Sequence, residues 1–194
     1  MTHIRPALVL IVLFTLLTGI ALPVAMTGIG GVLFPRQAGG SLVERDGHVI
    51  GSSLLGQSFT ADKYFQGRPS ATTEPDPKDS TKTINVPYAA DNSAASNLGP
   101  TSKALLDRIT GDIAKAGPKP VPADAVTTSA SGLDPDISPE NAARQVARVA
   151  AARKLTEEQV RAVLADHTEG RALGLIGEPR VNVLALNLAL DALH

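Results

Sequence analysis

Two aspartates in the most polar part of the chain are the first candidates for chemistry. Asp134 and Asp136 lie within the segment 129–138, SASGLDPDIS. Their carboxylates could offer oxygen ligands to a hard cation, although an EF-hand loop would need further oxygens and a closing Glu. The alternative, which we favour, is a turn in which the Ser and Asp side chains cap neighbouring backbone groups.

Arg68, which precedes Pro69, is a second candidate. Its guanidinium could clamp an anionic substrate or donate hydrogen bonds that pin a loop. The second interpretation is the more common one, and we adopt it.

Motifs of common enzymes are missing from the sequence. It contains no GxxxxGK(S/T) phosphate loop, no GxGxxG, no HExxH and no GxSxG. Zinc usually needs clustered ligands, whereas the four histidines are scattered singly at His3, His48, His167 and His194. We therefore predict no catalytic residue and no metal site.

The elements that must carry these residues begin with an apolar stretch. No charge occurs from Pro6 to Pro35, and residues 7–26 read ALVLIVLFTLLTGIALPVAM. Twenty helical residues span about 30 Å, the thickness of the hydrocarbon core of a bilayer. The sequence predicts a short segment 1–6, a transmembrane helix over 7–33 and a soluble domain over 34–194.

A cleaved signal peptide is the rival explanation. Arg5 gives a positive start, and Gly19-Ile20-Ala21 offers small residues for a peptidase. Hydrophobicity continues to Phe34, however, well beyond a signal h-region of about 7–15 residues, so we predict an anchor. The absence of Cys excludes a lipid-anchored lipoprotein.

Small residues mark one side of this helix. Thr18, Ala21 and Ala25 recur at helical spacing, and such residues let membrane helices approach closely. Pro23 could bend the helix toward a partner. The three residues are a hypothetical packing face.

Charge gives little information on partners or orientation. The net charge of −1, the pI near 6.4 and the aromatic content of 3% give no case for nucleic acid. Basic residues nearly balance across the span, so the positive-inside rule only slightly favours a cytoplasmic N-terminus and an extracytoplasmic domain.

Beyond the anchor the pattern predicts an α+β domain. Asp46-Gly47 separates two short strands and is a hairpin signal, and residues 180–183 read as another strand. Residues 72–99 are rich in Pro, Asp, Ser and Thr, which predicts a long and partly mobile surface loop.

Helices should fill the rest of the domain. Residues 101–116 place Leu105, Leu106, Ile109 and Ile113 on one face. Ser138-Pro139 and Thr156 to Gln159 carry N-terminal capping signals, and residues 184–193 suggest a final helix.

Several strings resemble the C subunit of the Kdp-type potassium-transporting P-type ATPase, a family of bacteria and archaea. They are 5–7 (RPA), 34–42 (FPRQAGGSL), 51–59 (GSSLLGQSF), 64–71 (YFQGRPSA), 96–100 (SNLGP), 129–153 and 177–191 (GEPRVNVLALNLALD). They cover nearly the whole chain in order, and residues 72–96 match poorly.

The resemblance implies a non-catalytic, single-pass subunit of the cytoplasmic membrane with an extracytoplasmic domain. Its partners would be a channel-like potassium-binding subunit, a P-type ATP-hydrolysing subunit and a small membrane peptide. The family is described as a catalytic chaperone that raises ATP affinity, and Gln145 fits the glutamine proposed to contact nucleotide. The chain would have no cofactor of its own, since the complex handles ATP and potassium.

A role at the outer ion entrance is a further hypothesis. Asp134, Asp136 and Asn182, together with Arg68, would then face the ion entrance or a partner. The competing class is a membrane-anchored extracytoplasmic enzyme or ligand-binding protein that uses the Arg68 and Asp134 regions as a pocket.

Overall fold

The structure, a computed structural model, describes residues 3–116 and 120–193. The chain divides into two compact units, residues 1–50 and 51–194. A long apolar helix comes first, and a domain of mixed helices and strands follows. The predicted α+β class with one candidate membrane helix is confirmed.

The first unit is dominated by a helix over Ile4–Leu33, none of whose residues is buried. It comprises α1 (Ile4–Leu16), a π-helical turn (Leu17–Ala21) and α2 (Leu22–Leu33). Among the described residues it is the one helix long and apolar enough to cross a membrane. It begins before the predicted span 7–33, because Pro is tolerated in the first turn of a helix and the polar start does not prevent helix formation.

Pro23 explains why the π-helical turn lies where it does. Proline has no N–H to donate to the carbonyl of Gly19, and its ring crowds that carbonyl. A π turn is one of the ways in which a helix accommodates such a break. Thr18 lies in this turn, and its hydroxyl donates to the Phe14 carbonyl at 2.7 Å.

A short helix and the predicted hairpin complete this part of the chain. Helix α3 (Pro35–Ala38) precedes β1 (Leu42–Arg45) and β2 (His48–Ser52), which form a two-stranded sheet. The turn residues Asp46 and Gly47 have φ values of +53° and +78°. Positive φ at both positions is what a two-residue hairpin turn requires, so this prediction is confirmed.

The segment predicted as one long loop over 72–99 contains a second hairpin. Strand β3 (Thr73–Asp76) pairs with β4 (Asp79–Asn85) in antiparallel register. The buried Thr72 anchors its base, because the hydroxyl donates to the Val86 carbonyl at 2.6 Å and accepts the Ala89 N–H at 3.1 Å. The prediction of a long surface loop was therefore wrong over these two strands.

Helix α4 (Lys103–Lys115) follows, and a 3-10 turn covers Ala123–Ala125. The predicted apolar face of α4 is only partly realised. Leu105, Ile109 and Ile113 are partly buried, but the side chain of Leu106 is 64% exposed.

The core of the second unit lies between three helices and a small sheet. The helices are α5 (Pro139–Arg153), α6 (Glu157–Asp166) and α7 (Val183–Asp191). The strands β5 (Asp136–Ile137), β6 (Thr168–Glu169) and β7 (Arg180–Asn182) form an antiparallel sheet in the order β5-β7-β6. The buried side chains of this core are Phe65, Ile137, Ala142, Val146, Val149, Ala150, Val160, Leu164, Val181, Val183, Leu186 and Leu190.

The predicted helix starts are confirmed by their caps. The Ser138 hydroxyl accepts the Asn141 N–H at 3.1 Å, and Pro139 occupies the first helical position of α5. At α6, Thr156 and Gln159 form a reciprocal capping box. Both caps satisfy backbone donors that the first turn of a helix leaves without intrahelical partners.

Candidate functional site

The serine–aspartate loop, residues 129–138, is a set of side chain–capped turns. The hydroxyls of Ser129 and Ser131 accept the N–H groups of Gly132 at 2.9 Å and Leu133 at 3.1 Å. Asp134 Oδ1 accepts the Asp136 N–H at 3.0 Å. These bonds confirm the turn interpretation of this segment.

Gly132 is required at the centre of this loop. Its φ is +69°, and a Cβ there would lie 2.5 Å from the Ala94 carbonyl oxygen and 2.7 Å from Thr72 Cγ2. Glycine alone satisfies both the backbone conformation and the close approach.

Arg68 holds the loop in place from outside. Its Nη1 donates to Asp134 Oδ2 at 2.8 Å, and its Nη2 donates to the Thr128 carbonyl at 3.4 Å. The two side chains of the ion pair are each about three-quarters buried. The loop-pinning interpretation of Arg68 is therefore confirmed.

Asp136 and Asn182 join the sheet to the start of α7. Asn182 Oδ1 caps α7 by accepting the Ala185 N–H at 3.0 Å, while its Nδ2 donates to the Ser53 carbonyl and to Asp136 Oδ1. Arg180 Nε lies 3.2 Å from Asp136 Oδ2. The pKa of the Asp136 carboxyl is raised above its usual value, chiefly by burial and also by the Asp134 charge, although the Arg180 charge opposes the shift.

These residues belong to what we call the carboxylate pocket, a depression of about 340 Å³. Its lining includes four carboxylates and two guanidiniums: Asp124, Asp134, Asp136, Glu178, Arg68 and Arg180. The structure thus brings Arg68, Asp134 and Asp136 to one pocket, and Asn182 contacts it through Asp136. Over residues 3–116 and 120–193, no group of three or more His, Asp or Glu side chains is arranged to hold a metal ion.

Gln145 lies on α5 and is largely buried, and both the oxygen and the nitrogen of its side-chain amide form hydrogen bonds. Its Oε1 accepts the Gln66 N–H at 2.8 Å, and its Nε2 donates to the Gln66 carbonyl at 3.0 Å. Arg148 also donates to Oε1 at 2.8 Å. The side chain imitates the pairing of a neighbouring β-strand.

The side-chain amide of Asn187, on α7, pairs in the same way with the backbone of Phe65, the residue before Gln66. It accepts the Phe65 N–H at 2.8 Å and donates to the Phe65 carbonyl at 2.9 Å, and both residues are almost inaccessible to solvent. We call Asn187 and Gln145, with the backbone of Phe65 and Gln66, the amide clamp. It positions the chain that leads into Arg68.

A polar cleft of about 630 Å³ borders the clamp. Arg144, Arg148, Tyr88 and Gln145 contribute to its lining. The pKa of Arg148 is lowered below its usual value, chiefly by burial and also by the Arg144 charge, although the nearby Asp62 carboxylate opposes the shift. Burial and then the Asp134 charge raise the pKa of Tyr88 to about 12, while Arg68 lowers it.

Sequence reasoning missed Asn187, Arg148 and Tyr88 as members of this region. The i, i+3 spacing of Gln145 and Arg148 on a helix with a capped start could have indicated a shared polar face. Nothing in the local sequence identifies Asn187 as a buried polar residue of the core.

The small residues of the apolar helix lie in the first unit. Thr18 and Ala21 belong to the π-helical turn and Ala25 belongs to α2, and all three are exposed. Their role as a packing face stays a prediction.

The structure defines a protein with a candidate membrane anchor and an α+β domain whose polar residues bind its own backbone. The model of the KdpC family, described as K+-transporting ATPase, c chain, matches residues 4–192. The chain belongs to the KdpC family.

Relatives of this family match the chain in sequence over nearly its full length. A potassium-transporting ATPase KdpC subunit of Rhodopseudomonas palustris (strain BisB18) is 64% identical over 194 residues, 98% of each chain. The subunit of the same name from Methylobacterium nodulans is 64% identical over 195 residues, 98% of this chain and 97% of the relative. That of Bradyrhizobium diazoefficiens is 64% identical over 193 residues, 97% of this chain and 96% of the relative.

Proposed function

We propose that this chain is a non-catalytic accessory subunit of an ATP-driven, high-affinity potassium import complex. The observation that carries the proposal is the unburied apolar helix Ile4–Leu33 in a chain that matches the KdpC family over residues 4–192. Such a helix binds lipid and other membrane helices. Its partners would be a channel-like potassium-binding subunit, a P-type ATP-hydrolysing subunit and a small membrane peptide.

Assembly would begin in the membrane. Thr18, Ala21 and Ala25 offer a surface on which a partner helix can pack closely, and the π-helical turn places a local irregularity at the same depth. Replacement of Ala21 and Ala25 by Leu should weaken co-purification with the partners. Replacement of Val9 and Val12 by Leu, which adds bulk elsewhere on the helix, is the control.

The domain would lie outside the cytoplasmic membrane, with the N-terminus in the cytoplasm. The chain contains no Cys, so one introduced thiol is a unique label. An impermeant maleimide should label Lys82→Cys in intact cells, because the Lys82 side chain is 72% exposed. It should label His3→Cys only after permeabilisation. The reverse pattern would refute this topology.

The subunit would raise the ATP affinity of the hydrolysing subunit from a distance. In the proposed topology ATP and the domain are on opposite sides of the membrane, so the effect is a coupling between separate sites. The engagement of both ends of the Gln145 amide with Gln66 supports a positioning role over direct contact with nucleotide.

Two variants distinguish coupling from contact. Gln145→Leu and Asn187→Leu each remove one half of the amide clamp, and only Gln145 is a candidate nucleotide ligand. We expect both variants to change the KM for ATP of the assembled complex to a similar extent. An increase confined to Gln145→Leu would support direct contact.

A second role at the outer ion entrance is supported by the composition of the carboxylate pocket. Its four carboxylates outnumber the two guanidiniums, which leaves a negative region that attracts cations. Simultaneous replacement of Asp134, Asp136 and Asn182 by Ala should weaken potassium affinity of the purified complex. An unchanged affinity in a correctly folded complex would exclude this role.

Co-purification tests the main proposal and separates it from the competing class. The full chain should be retained on a tagged potassium-binding subunit, and potassium-stimulated ATP hydrolysis should be lost without it. The chain alone should show no turnover. A chain that is not retained and that catalyses a reaction by itself would be an anchored enzyme instead.

A further inference from the structure

The polar cleft beside the amide clamp contains more positive than negative charge. Two of its charged side chains are neutralised by ion pairs, Arg68 with Asp134 at 2.8 Å and Asp112 with Arg108 at 3.8 Å. The charged side chains of the lining that remain are Arg144, Arg148, Lys115 and Asp62. Three cations are therefore left in the cleft against one carboxylate.

Arg144 is bound by neutral groups alone. Its Nη1 donates to Asn141 Oδ1 at 3.2 Å, and its Nη2 donates to the Ala116 carbonyl. Its Nε is buried and has no hydrogen-bond partner within residues 3–116 and 120–193. In the part of the chain that the structure describes, no carboxylate forms an ion pair with this guanidinium.

Arg148 lies one helical turn further along α5 and is also held mainly by neutral acceptors. It donates to the backbone carbonyls of Asp62 at 2.6 Å and Tyr64 at 3.1 Å. The Asp62 carboxylate is 3.8 Å from Arg148 Nη1, and the Asp62 side chain is 79% exposed. An ion pair that is this long and this exposed to solvent contributes little, so the charge of Arg148 is only weakly compensated.

The two guanidiniums form a like-charged pair at i, i+4 on α5, and both side chains are half-buried. Like charges at this spacing destabilise a helix, and burial increases the cost of an uncompensated charge. Lys115, in the last turn of α4, brings a third positive charge to the same cleft. An anion bound between these side chains would offset the repulsion.

We propose that the polar cleft binds a phosphate group, either inorganic phosphate or the phosphodiester of an anionic lipid headgroup. Guanidiniums suit this ligand because each presents several N–H donors to its oxygens, while Lys115 adds a point charge. The Gln145 amide is engaged by Gln66 and is not a ligand of this site. The cleft is built wholly from the second unit, so the inference does not depend on the proposed function.

Titration calorimetry of the full chain in detergent with inorganic phosphate tests the site. Arg144→Gln and Arg148→Gln should each weaken the affinity roughly tenfold to a hundredfold, the effect of losing one hydrogen bond to a charged group. Arg161→Gln removes a guanidinium of 54% exposure on α6, outside the cleft. It is the matched control and should leave the affinity for phosphate unchanged.

Two further variants separate binding from folding. Arg144→Lys keeps the positive charge but loses the planar fork, so it should retain part of the affinity that Arg144→Gln loses. Lys115→Gln changes an exposed side chain and decides the question if an arginine variant does not fold. A severalfold weaker affinity of the Lys115→Gln chain supports the proposal. An unchanged affinity, or a parent chain that does not bind phosphate, overturns it.

Native mass spectrometry of the full chain in detergent identifies the source of the phosphate group. Phosphatidylglycerol should be retained by the parent chain more than phosphatidylcholine, and less by Arg144→Gln, if the ligand is a lipid headgroup. Equal lipid retention by parent and variant, with phosphate affinity lost in the variant, assigns the site to free phosphate. Either result supports the cleft as a phosphate site, whereas variants that change the binding of neither ligand overturn it.

Discussion

Replacement of Asn187 by Leu tests whether the amide clamp holds the domain together. The change keeps approximate volume and adds apolar surface in a core position that is 1% exposed. It leaves the N–H and the carbonyl of Phe65 without their partners at 2.8 and 2.9 Å.

The expected cost follows from those two groups. A buried polar group that loses its partner costs about 1–3 kcal/mol, so two such groups cost about 2–6 kcal/mol before relaxation. Domains are stable by only about 5–15 kcal/mol, so the variant should be strongly destabilised.

Urea unfolding of the full chain in detergent, followed by far-ultraviolet circular dichroism, measures this cost. Asn85→Ala, at an exposed position at the end of β4, is the control and should change the free energy of unfolding by less than about 0.5 kcal/mol. A similarly small change in the free energy of unfolding for Asn187→Leu would refute the view that the amide clamp stabilises the domain through the segment around Phe65.

Three further predictions concern single groups. Ser138→Ala removes the cap of α5 and a hydrogen bond to Asp124 and should cost about 1–2 kcal/mol in thermal unfolding. Gly132→Ala should destabilise the domain by more than about 1 kcal/mol in the same assay, because its Cβ would overlap the Ala94 carbonyl. Since the pKa of Tyr88 is raised to about 12 from 10.0, its contribution to stability is complete below pH 10 and is lost as the pH rises toward 12. Ultraviolet titration of the phenols should show a late step that Tyr88→Phe abolishes; persistence of that step would contradict the assignment.

Local chemistry made several elements predictable from the sequence. Asp46-Gly47 specifies a turn by backbone conformation alone, and Ser138 and Thr156 specify helix starts by satisfying nearby N–H groups. In these cases the residues that make the signal are the residues that make the contact, so no knowledge of the rest of the fold is needed.

The hairpin β3–β4 was missed for a physical reason. Strand β4 reads DSTKTIN and six of its seven residues are exposed, so no alternation of apolar and polar residues marks it. Its pairing depends on the anchor at Thr72 and on a partner strand that contains a proline, neither of which periodicity reveals.

The sequence allowed the role of single residues at the candidate site to be predicted, but not the contacts that these residues make with distant parts of the chain. Arg68 was recognised as a loop-pinning donor, whereas its acceptor Asp134 lies 66 residues away and was considered for a different role. The Gln145 and Asn187 contacts join residues 79 and 122 positions apart. A single sequence contains no signal for such pairings.

The amide clamp also has a consequence for how the chain matures. Phe65 leaves the ribosome long before Asn187, and at about 5–20 residues per second the 122 residues from Gln66 to Asn187 take about 6–24 s to synthesise. During that interval only the Gln145 half of the clamp is available, and the N–H and carbonyl of Phe65 lack their Asn187 partner. The amide clamp is therefore completed only after α7 has emerged.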